Sequence, residues 1–292
     1  MLFSIALENA LFEHENPIIT EYDVYRIGTV LLSEKQWKGQ ALKRVPATWE
    51  RRNYLQAIGR LVEKGELVSE RDFTSGVWRF VHQDKAVTAE QIACAVDPFC
   101  YISHLSALQH YGLSSNPGGG VYLTTPARAQ WRALREAQAT REFAGDRDTP
   151  HPTFNRIGFP TELRRRPIFP FETRHMGVFV VAGDHVRVSA LGRAFIESIA
   201  EPKLCGSMTH VLKIWQSHAR SNLETILAAI QSQEEKILKV RAGYILSECL
   251  GIEDPRIEAW KAFAQRGGSR KLDPEAPYVS EFSQPWMLSI NI

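Results

Sequence analysis

Apolar and polar positions recur with helical spacing in three stretches of the first 85 residues. The first stretch covers residues 3–13, where apolar side chains return at about every third or fourth position. In the second, Thr20 precedes two acidic residues, as an N-cap residue precedes the acids of a first helical turn. The third opens at Pro46-Ala47-Thr48 and runs to about Lys64, and Gly65 follows it as a helix-ending glycine. The pattern predicts three helices.

Strand spacing follows directly after the third predicted helix. Residues 66–71 and 76–81 are short runs in which apolar and polar residues alternate, separated by residues 72–75. Two such runs with a short connection predict a β-hairpin. Three helices followed by a hairpin is the order of elements in a winged helix-turn-helix. We therefore predict a winged helix-turn-helix DNA-binding domain over residues 1–85.

The rest of the chain, residues 86–292, mixes helical and strand patterns and contains no internal repeat. Helices are predicted over residues 88–96, 101–113, 127–142, 189–199, 206–218, 222–249 (with a break around Ser232) and 254–266, and strands over residues 121–126, 166–172, 177–182 and 185–188. A Pro- and Arg-rich connector is predicted over residues 143–165, and an extended tail from residue 267 onward. The predicted fold class is α+β, with the winged helix followed by a mixed α/β C-terminal region.

Composition narrows the class of protein. The chain has 292 residues, of which 44% are hydrophobic and 23% are charged, values typical of globular proteins. Its four cysteines form no pair with metal or disulfide spacing. No apolar run approaches the roughly 20 residues of a membrane span, and no basic segment precedes the first apolar run as it would in a signal peptide. We predict a cytoplasmic protein with no membrane partner.

Positive charge is concentrated near the third predicted helix, although the net charge of the chain is only +2. Residues 35–60 hold one acidic residue, Glu50, and seven basic ones: Lys35, Lys38, Lys43, Arg44, Arg51, Arg52 and Arg60. A basic patch confined to one element is typical of a DNA-binding module within a neutral protein. On charge alone, a solvated loop and helix face is an equal alternative.

A helical projection of the third helix separates an aliphatic side from a polar one. Leu55, Ile58, Leu61 and Val62 cluster on the aliphatic side. Cationic and amide side chains on the other side are the groups that pair with guanine, adenine and phosphate. The predicted DNA-binding residues are Trp49, expected to be an exposed aromatic, with Arg51, Arg52, Asn53, Gln56, Arg60, Lys64 and, in the hairpin, Arg79. Arg51 projects on the aliphatic side, but it stands in the first turn, from which it can reach a phosphate. An ordinary surface helix is the alternative.

A second basic patch is predicted at Arg164, Arg165 and Arg166, which stand together near the end of the connector. A compact arginine cluster can engage phosphates or an acidic protein surface. A solvated basic arm is the competing interpretation of the same three residues.

Catalytic motifs are missing from the sequence. It has no phosphate-binding glycine loop, no H-E-x-x-H string and no zinc-spaced set of cysteines and histidines. Gly206-Ser207 and Gly268-Ser269 are not followed by the paired aspartates of a nucleotidyltransferase. We therefore predict that the chain is not an enzyme and has no catalytic residues, no cofactor and no metal site. An enzyme with an unrecognised site is the remaining alternative.

Three stretches in the same order resemble one family, the AbiEi antitoxins of type IV toxin–antitoxin systems, which are transcriptional regulators of viral defence by abortive infection. The first runs from Leu61-Val62-Glu63-Lys64-Gly65-Glu66-Leu67 into Ser75-Gly76-Val77-Trp78. The second comprises Tyr101-Ile102-Ser103-His104-Leu105-Ser106-Ala107-Leu108, Tyr111-Gly112-Leu113 and Val121-Tyr122-Leu123-Thr124-Thr125-Pro126. The third comprises Arg193-Ala194-Phe195-Ile196-Glu197-Ser198-Ile199 and Glu201-Pro202-Lys203-Leu204-Cys205-Gly206.

The resemblance implies an antitoxin with two functions. The winged helix would bind inverted repeats in double-stranded promoter DNA and repress its own operon. The C-terminal antitoxin or regulatory domain, residues 86–292, would counteract a cognate nucleotidyltransferase-type toxin, with or without a stable complex. The alternative is a stand-alone winged-helix transcription factor whose C-terminal domain senses a ligand or dimerises.

Overall fold

The computed structural model of the chain describes residues 1–82, 86–143, 151–265 and 270–292. Its α-helices are α1 (Phe3–Phe12), α2 (Glu21–Glu34), α3 (Arg51–Glu63), α4 (Ala89–Val96), α5 (His104–His110), α6 (Arg128–Glu142), α7 (Leu191–Ala200), α8 (Met208–His218), α9 (Leu223–Gln231), α10 (Lys236–Tyr244) and α11 (Pro255–Trp260). Helix α10 continues as a π-helical turn over Ile245–Cys249, and 3-10 helices cover Gly183–His185, Pro202–Cys205 and Lys261–Phe263.

The β-strands are β1 (Ile18–Thr20), β2 (Gln36–Trp37), β3 (Gln40–Ala41), β4 (Leu67–Ser69), β5 (Val77–Phe80), β6 (Tyr101–Ile102), β7 (Val121–Pro126), β8 (Glu162–Leu163), β9 (Arg166–Thr173), β10 (Phe179–Val181), β11 (Arg187–Ser189), β12 (Phe282–Ser283) and β13 (Leu288–Ser289). Helices and antiparallel strands share the chain, which confirms the α+β class.

The chain divides into two units. The first comprises residues 1–100, 125–175 and 183–186, and the second comprises residues 101–124, 176–182 and 187–292. The predicted domain boundary after residue 85 thus falls within the first unit. Residues 83–85 at that boundary, residues 144–150 of the predicted connector and residues 266–269 lie outside the described part of the chain.

The N-terminal part of the first unit combines α1, α2 and α3 with a three-stranded antiparallel sheet in the order β1-β5-β4. The predicted hairpin is β4 and β5, paired with Leu67 opposite Phe80 and Ser69 opposite Trp78. Strand β1, which the sequence pattern did not predict, pairs Ile18 with Arg79 and places β5 in the centre. Helices and sheet share one core built from Leu7, Leu11, Val24, Tyr54, Leu61 and Phe80, all buried.

Capping residues fix where α2 and α3 begin. Thr20 and Asp23 form the capping box of α2, as the sequence predicts. The third helix was predicted to open at Pro46-Ala47-Thr48, and this is wrong: α3 begins at Arg51, and Glu50 is its N-cap residue. Gly65 has a φ of +72°, the left-handed conformation expected of a glycine that ends a helix.

The remainder of the first unit contains α4, α6 and the hairpin of β8 and β9. Leu163 pairs with Arg166, so Arg164 and Arg165 alone form the connecting turn. Both residues have positive φ angles, +53° and +61°, which is the backbone of a type I′ turn. The turn therefore holds two neighbouring arginines in fixed and different directions.

The second unit is built on four strands in the order β10-β11-β6-β7, with α5 and the helices that follow β11. The predicted helix over residues 101–113 is corrected: Tyr101 and Ile102 form β6, and α5 begins only at His104. Strands β10, β11 and β7 and helices α7 to α11 correspond to the predicted elements. The predicted extended tail carries β12 and β13 and buries Trp286 completely.

A buried polar network joins the start of α5 to α7 in the second unit. The Glu197 carboxylate, 3% exposed, accepts hydrogen bonds from the Tyr101 hydroxyl at 3.0 Å and from the His104 backbone N–H at 3.3 Å. The Thr124 hydroxyl donates to Ser103 Oγ at 2.9 Å, and Ser103 Oγ lies 2.7 Å from His104 Nδ1. Tyr101, Ser103 and His104 come from the second resembling stretch, and Glu197 comes from the third.

Stability of the chain is expected to fall between pH 7 and pH 5 through His104. Burial lowers the pKa of His104 below its ordinary value, so the unfolded chain binds a proton there more readily than the folded chain. Stability is therefore present above the unfolded-state pKa of about 6.5 and is lost as the pH falls below it. Urea unfolding at pH 7 and pH 5 measures this loss.

His104→Asn is the variant for this test, because asparagine tolerates the positive φ of +50° and keeps a polar atom near Nδ1. It should show a smaller loss of stability on acidification than the unmodified chain. His110→Asn is the control, since His110 is exposed. An unchanged pH dependence in His104→Asn would contradict the assignment.

Candidate nucleic-acid interface

One face of α3 is polar and open to solvent. Arg52, Gln56 and Arg60 are exposed and, at a spacing of four residues, form a row along the helix. No ion pair or side-chain hydrogen bond engages this exposed row within the described residues. The opposite face buries Tyr54, Ala57, Ile58 and Leu61 in the core. The amphipathic pattern of α3 thus holds the exposed row outward.

Trp49 was predicted to be an exposed aromatic on this face, and the structure contradicts that. It is only 8% exposed, its Nε1 donates to the Tyr25 carbonyl at 3.0 Å, and its ring contacts Phe3 edge to face. The projection failed because Trp49 precedes the first residue of α3, so helical geometry does not apply to it. Val62 is the opposite case: it was assigned to the aliphatic side of the helix, but its side chain is 41% exposed.

Gly28→Ala tests the buried position of Trp49. A Cβ atom at Gly28 would lie 2.2 Å from Trp49 Cε2, so we expect the substitution to lower the free energy of unfolding by about 1–3 kcal/mol. Gly59→Ala in α3 is the control, because nothing lies within 4 Å of its added Cβ. It should raise stability by about 0.5–1 kcal/mol through helix propensity. Equal stabilisation by both alanines in urea unfolding would show that Trp49 does not pack on Gly28.

Two of the predicted cationic contact residues on or beside α3 have partners within the first unit. Arg51 binds the Glu21 carboxylate through Nε and Nη2 at 3.2 and 3.0 Å, and Lys64 Nζ lies 2.7 Å from Glu8 Oε2. These pairs raise the pKa values of Arg51 and Lys64 above their ordinary values. Both cations stay exposed, so they can still approach a phosphate.

Asn53 has a structural role that the sequence analysis did not assign. Its Oδ1 accepts the Glu50 backbone N–H at 3.0 Å, which closes the capping box of α3. Bidentate recognition of adenine uses the oxygen and the NH₂ group of an asparagine together. Because the oxygen is engaged, we assign Asn53 to capping and retain Gln56 as the amide that faces solvent.

The segment between α2 and α3 adds further cations. Lys35, Lys43 and Arg44 are exposed, and none has an ion-pair partner among the described residues. Lys38 pairs with Glu13, and its Nζ lies 4.7 Å from the centre of the Trp37 ring. With Arg52 and Arg60, five exposed cations of residues 35–60 are free to bind phosphate.

The loop between β4 and β5, residues 70–76, is the next element in sequence after α3 and β4. Arg71 lies in this β4–β5 loop with its Nε 3.9 Å from Asp72 Oδ1 and its side chain 70% exposed, and the sequence analysis did not single it out. The predicted contact residue Arg79 lies instead within the central strand β5 and is half-buried. Arg71 could have been found from the sequence, because it stands directly before residues 72–75, the predicted connection of the hairpin.

The predicted second basic patch is not a compact exposed cluster. The Arg164 guanidinium binds both oxygens of Glu70, at 2.5 and 2.8 Å, and Asp72 Oδ2 at 2.7 Å. Arg166 pairs with Glu90 at 2.5 Å. Of the three arginines, only Arg165 is exposed, and Arg164 and Arg166 are half-buried. The arginine string instead fixes the β4–β5 loop: Glu70 is 2% exposed and is neutralised by Arg164.

Metal-ligand geometry is not found in the described ranges, where no group of three or more His, Cys, Asp or Glu side chains converges. All four cysteines are free thiols. Within the same ranges, none of the helices combines the length and apolar composition needed to cross a membrane.

Comparison with known proteins gives one distant structural similarity to report. No protein-family model matches the chain, and no curated protein matches it. The crystal structure of the RV2827C protein from Mycobacterium tuberculosis is similar with a TM-score of 0.47 and 13% sequence identity, over 98% of this chain and 90% of that one. A similarity this distant carries no conclusion about the fold family or the function of the chain.

Proposed function

We propose that the N-terminal part of the chain is a winged helix that binds double-stranded DNA, with α3 as the recognition helix and the β4–β5 loop as the wing. The order of elements supports this: α1, β1, α2, α3, β4 and β5 occur in this order, with the short hairpin of β2 and β3 inserted between α2 and α3, and β1 completes a sheet in the order β1-β5-β4. In this arrangement a helix lies in the major groove and the loop reaches the neighbouring backbone.

The observation that carries the proposal is the exposed row Arg52, Gln56 and Arg60. A row of two arginines and one amide, fixed on a helix whose other face is buried, matches the hydrogen-bonding groups of base edges. The exposed cations Lys35, Lys43 and Arg44 supply phosphate contacts beside it. Arg71 in the wing adds one more.

We further propose that the chain is an antitoxin and autorepressor of the kind its sequence resembles, and that it is not an enzyme. It would repress its operon at inverted repeats in the promoter and counteract a nucleotidyltransferase-type toxin. Support comes from the second unit, where the second and third resembling stretches share the buried network of Tyr101, Ser103, His104 and Glu197. Residues far apart in sequence thus form one structural element.

Co-expression of the full-length chain with the toxin tests this function. Growth is measured with the nucleotidyltransferase-type toxin that the proposal places beside this chain in the operon, with and without the chain. We expect the unmodified chain to restore growth and Arg52→Ala/Gln56→Ala/Arg60→Ala to restore it equally while losing repression of a promoter reporter. Absence of rescue by either chain would contradict the antitoxin function and leave a DNA-binding regulator.

A further inference from the structure

A cavity of about 670 Å³ lies within the first unit, beside the proposed DNA-binding elements. Its walls come from the beginning of α2 and α3, the β4–β5 loop, α6 and residues 152–160. The volume falls in the range of roughly 300–1,000 Å³ typical of small-molecule sites. Aromatic side chains of Tyr22, Trp131 and Phe154 line it together with charged groups.

Arg135 of α6 is the unusual group in this cavity. It is only 8% exposed, and its guanidinium carbon lies 4.0 Å from the centre of the Tyr22 ring and 5.1 Å from that of Trp131. Its Nε is buried without a hydrogen-bond acceptor, and no carboxylate forms an ion pair with it in the described part of the chain. Burial lowers the pKa of this guanidinium, because attraction to Tyr22, Asp23 and Asp97 does not offset the loss of water.

The other arginines that line the cavity are already neutralised. Arg51 pairs with Glu21, and Arg156 pairs with Glu172 at 2.8 Å and lies 3.7 Å from Asp97. A buried positive charge without a counter-ion is costly, so an anion at Arg135 would be favoured. The carboxylates Glu21 and Asp72 also line the cavity, but they are paired with Arg51 and Arg164, so Arg135 is the charge in the described lining that lacks an ion-pair partner. The charge balance therefore favours one negative charge, not two.

We propose that this cavity binds a small organic monoanion, with a carboxylate against Arg135 and a flat apolar body between the surrounding aromatic rings. The guanidinium supplies parallel N–H donors for a carboxylate, and the rings supply area for an aromatic or alicyclic group. Arg135 Nη1 donates to Gln138 Oε1 at 3.4 Å, whereas the buried Nε has no acceptor and is the donor left for the ligand.

A ligand in this cavity would also regulate DNA binding. This regulatory role rests on the proposed DNA binding, whereas the binding of the ligand itself does not. Arg51 of α3 and Thr74 and Ser75 of the β4–β5 loop are part of the cavity wall. A ligand there contacts both elements proposed to hold DNA, so it would change duplex affinity only if those elements do bind DNA.

Binding is tested by calorimetry on the full chain without DNA, which keeps the result separate from the proposed function. The probes are 2-naphthoate and its neutral isostere 2-naphthamide. We expect 2-naphthoate to bind with a Kd below about 1 mM and 2-naphthamide to bind at least about tenfold more weakly, since the amide lacks the charge.

Substitutions of Arg135 test whether this residue binds the carboxylate of 2-naphthoate. Arg135→Met should weaken 2-naphthoate binding at least about tenfold and leave the amide unchanged, and Arg135→Lys should retain part of the affinity because the charge remains. Arg132→Met is the matched control, since Arg132 is exposed on the same helix. Equal binding of acid and amide, full affinity in Arg135→Met, or no heat of binding up to about 5 mM would overturn the proposal. If Arg135→Met does not fold, the acid–amide comparison on the unmodified chain decides.

Discussion

Replacing the exposed row by alanine, as Arg52→Ala/Gln56→Ala/Arg60→Ala, is expected to weaken binding to the specific duplex about a thousandfold. Each side chain that contacts a base edge contributes on the order of 1–3 kcal/mol, and about 1.4 kcal/mol each corresponds to a tenfold change. The free energy of unfolding should stay within about 1 kcal/mol of the unmodified chain, because exposed side chains contribute little to stability. Titration in a mobility-shift assay measures the affinity.

A control variant removes the same number of cations, two, from exposed positions of another helix, α6. Arg128 and Arg132 lie exposed on α6, and Arg128→Ala/Arg132→Ala should bind the specific duplex within about threefold of the unmodified chain. If both variants lose affinity equally, positive charge in general is responsible and the orientation of α3 is wrong.

Arg164→Ala is expected to lower the free energy of unfolding by about 3–5 kcal/mol, the cost of leaving a buried carboxylate unpaired. The carboxylate is that of Glu70, 2% exposed, which receives two hydrogen bonds from Arg164. Asp72 in the β4–β5 loop loses the guanidinium of Arg164 but keeps the hydrogen bond from the backbone N–H of residue 164, at 3.0 Å. Urea unfolding followed by circular dichroism gives the magnitude.

Arg165→Ala provides the matched control for this prediction. It lies in the same turn with a similar positive φ, so the backbone cost of alanine is the same, but its side chain is exposed. It should cost about 1 kcal/mol or less. Arg164→Ala combined with Glu70→Gln should recover part of the loss, because the charge left behind is removed. Equal effects of the two single alanines would contradict the structural role of Arg164.

The sequence predicted those features that are determined by residues close together along the chain. The capping box at Thr20, the glycine that ends α3 and the hairpin of β4 and β5 all follow from local rules. Strand β1 escaped prediction because three residues are too few to show alternation. Helix α3 was predicted to begin too early, since Pro46 and Thr48 resemble a helix start, and this error displaced Trp49 onto the wrong face.

Long-range pairing explains the remaining errors at the candidate site. Arg164 and Glu70 are 94 positions apart, so nothing in the arginine string itself reveals that one member is used to fix a loop. The same holds for Arg135, whose aromatic neighbours Tyr22 and Phe99 come from other elements. Exposed positions such as Arg52, Gln56 and Arg60 were predictable, because helical periodicity alone determines which side of α3 faces the core.

The division into units also changes how the proposed functions can be separated. The resemblance implies that residues 86–292 carry the antitoxin activity. Helices α4 and α6 and the hairpin of β8 and β9 belong to the first unit with residues 1–82. Cutting at residue 86 would divide that unit, and for this reason point variants of the full chain are the better means of separating repression from neutralisation.

The most direct test of DNA binding is the salt dependence of affinity for the duplex upstream of the chain's own gene, compared with a scrambled duplex of the same length. Five exposed, unpaired cations in residues 35–60 predict that the logarithm of the association constant falls against the logarithm of salt with a slope of about −4 to −5. The proposal predicts this slope together with preference for the native sequence. Binding that is indifferent to both salt and sequence, or no binding at low salt, would contradict it.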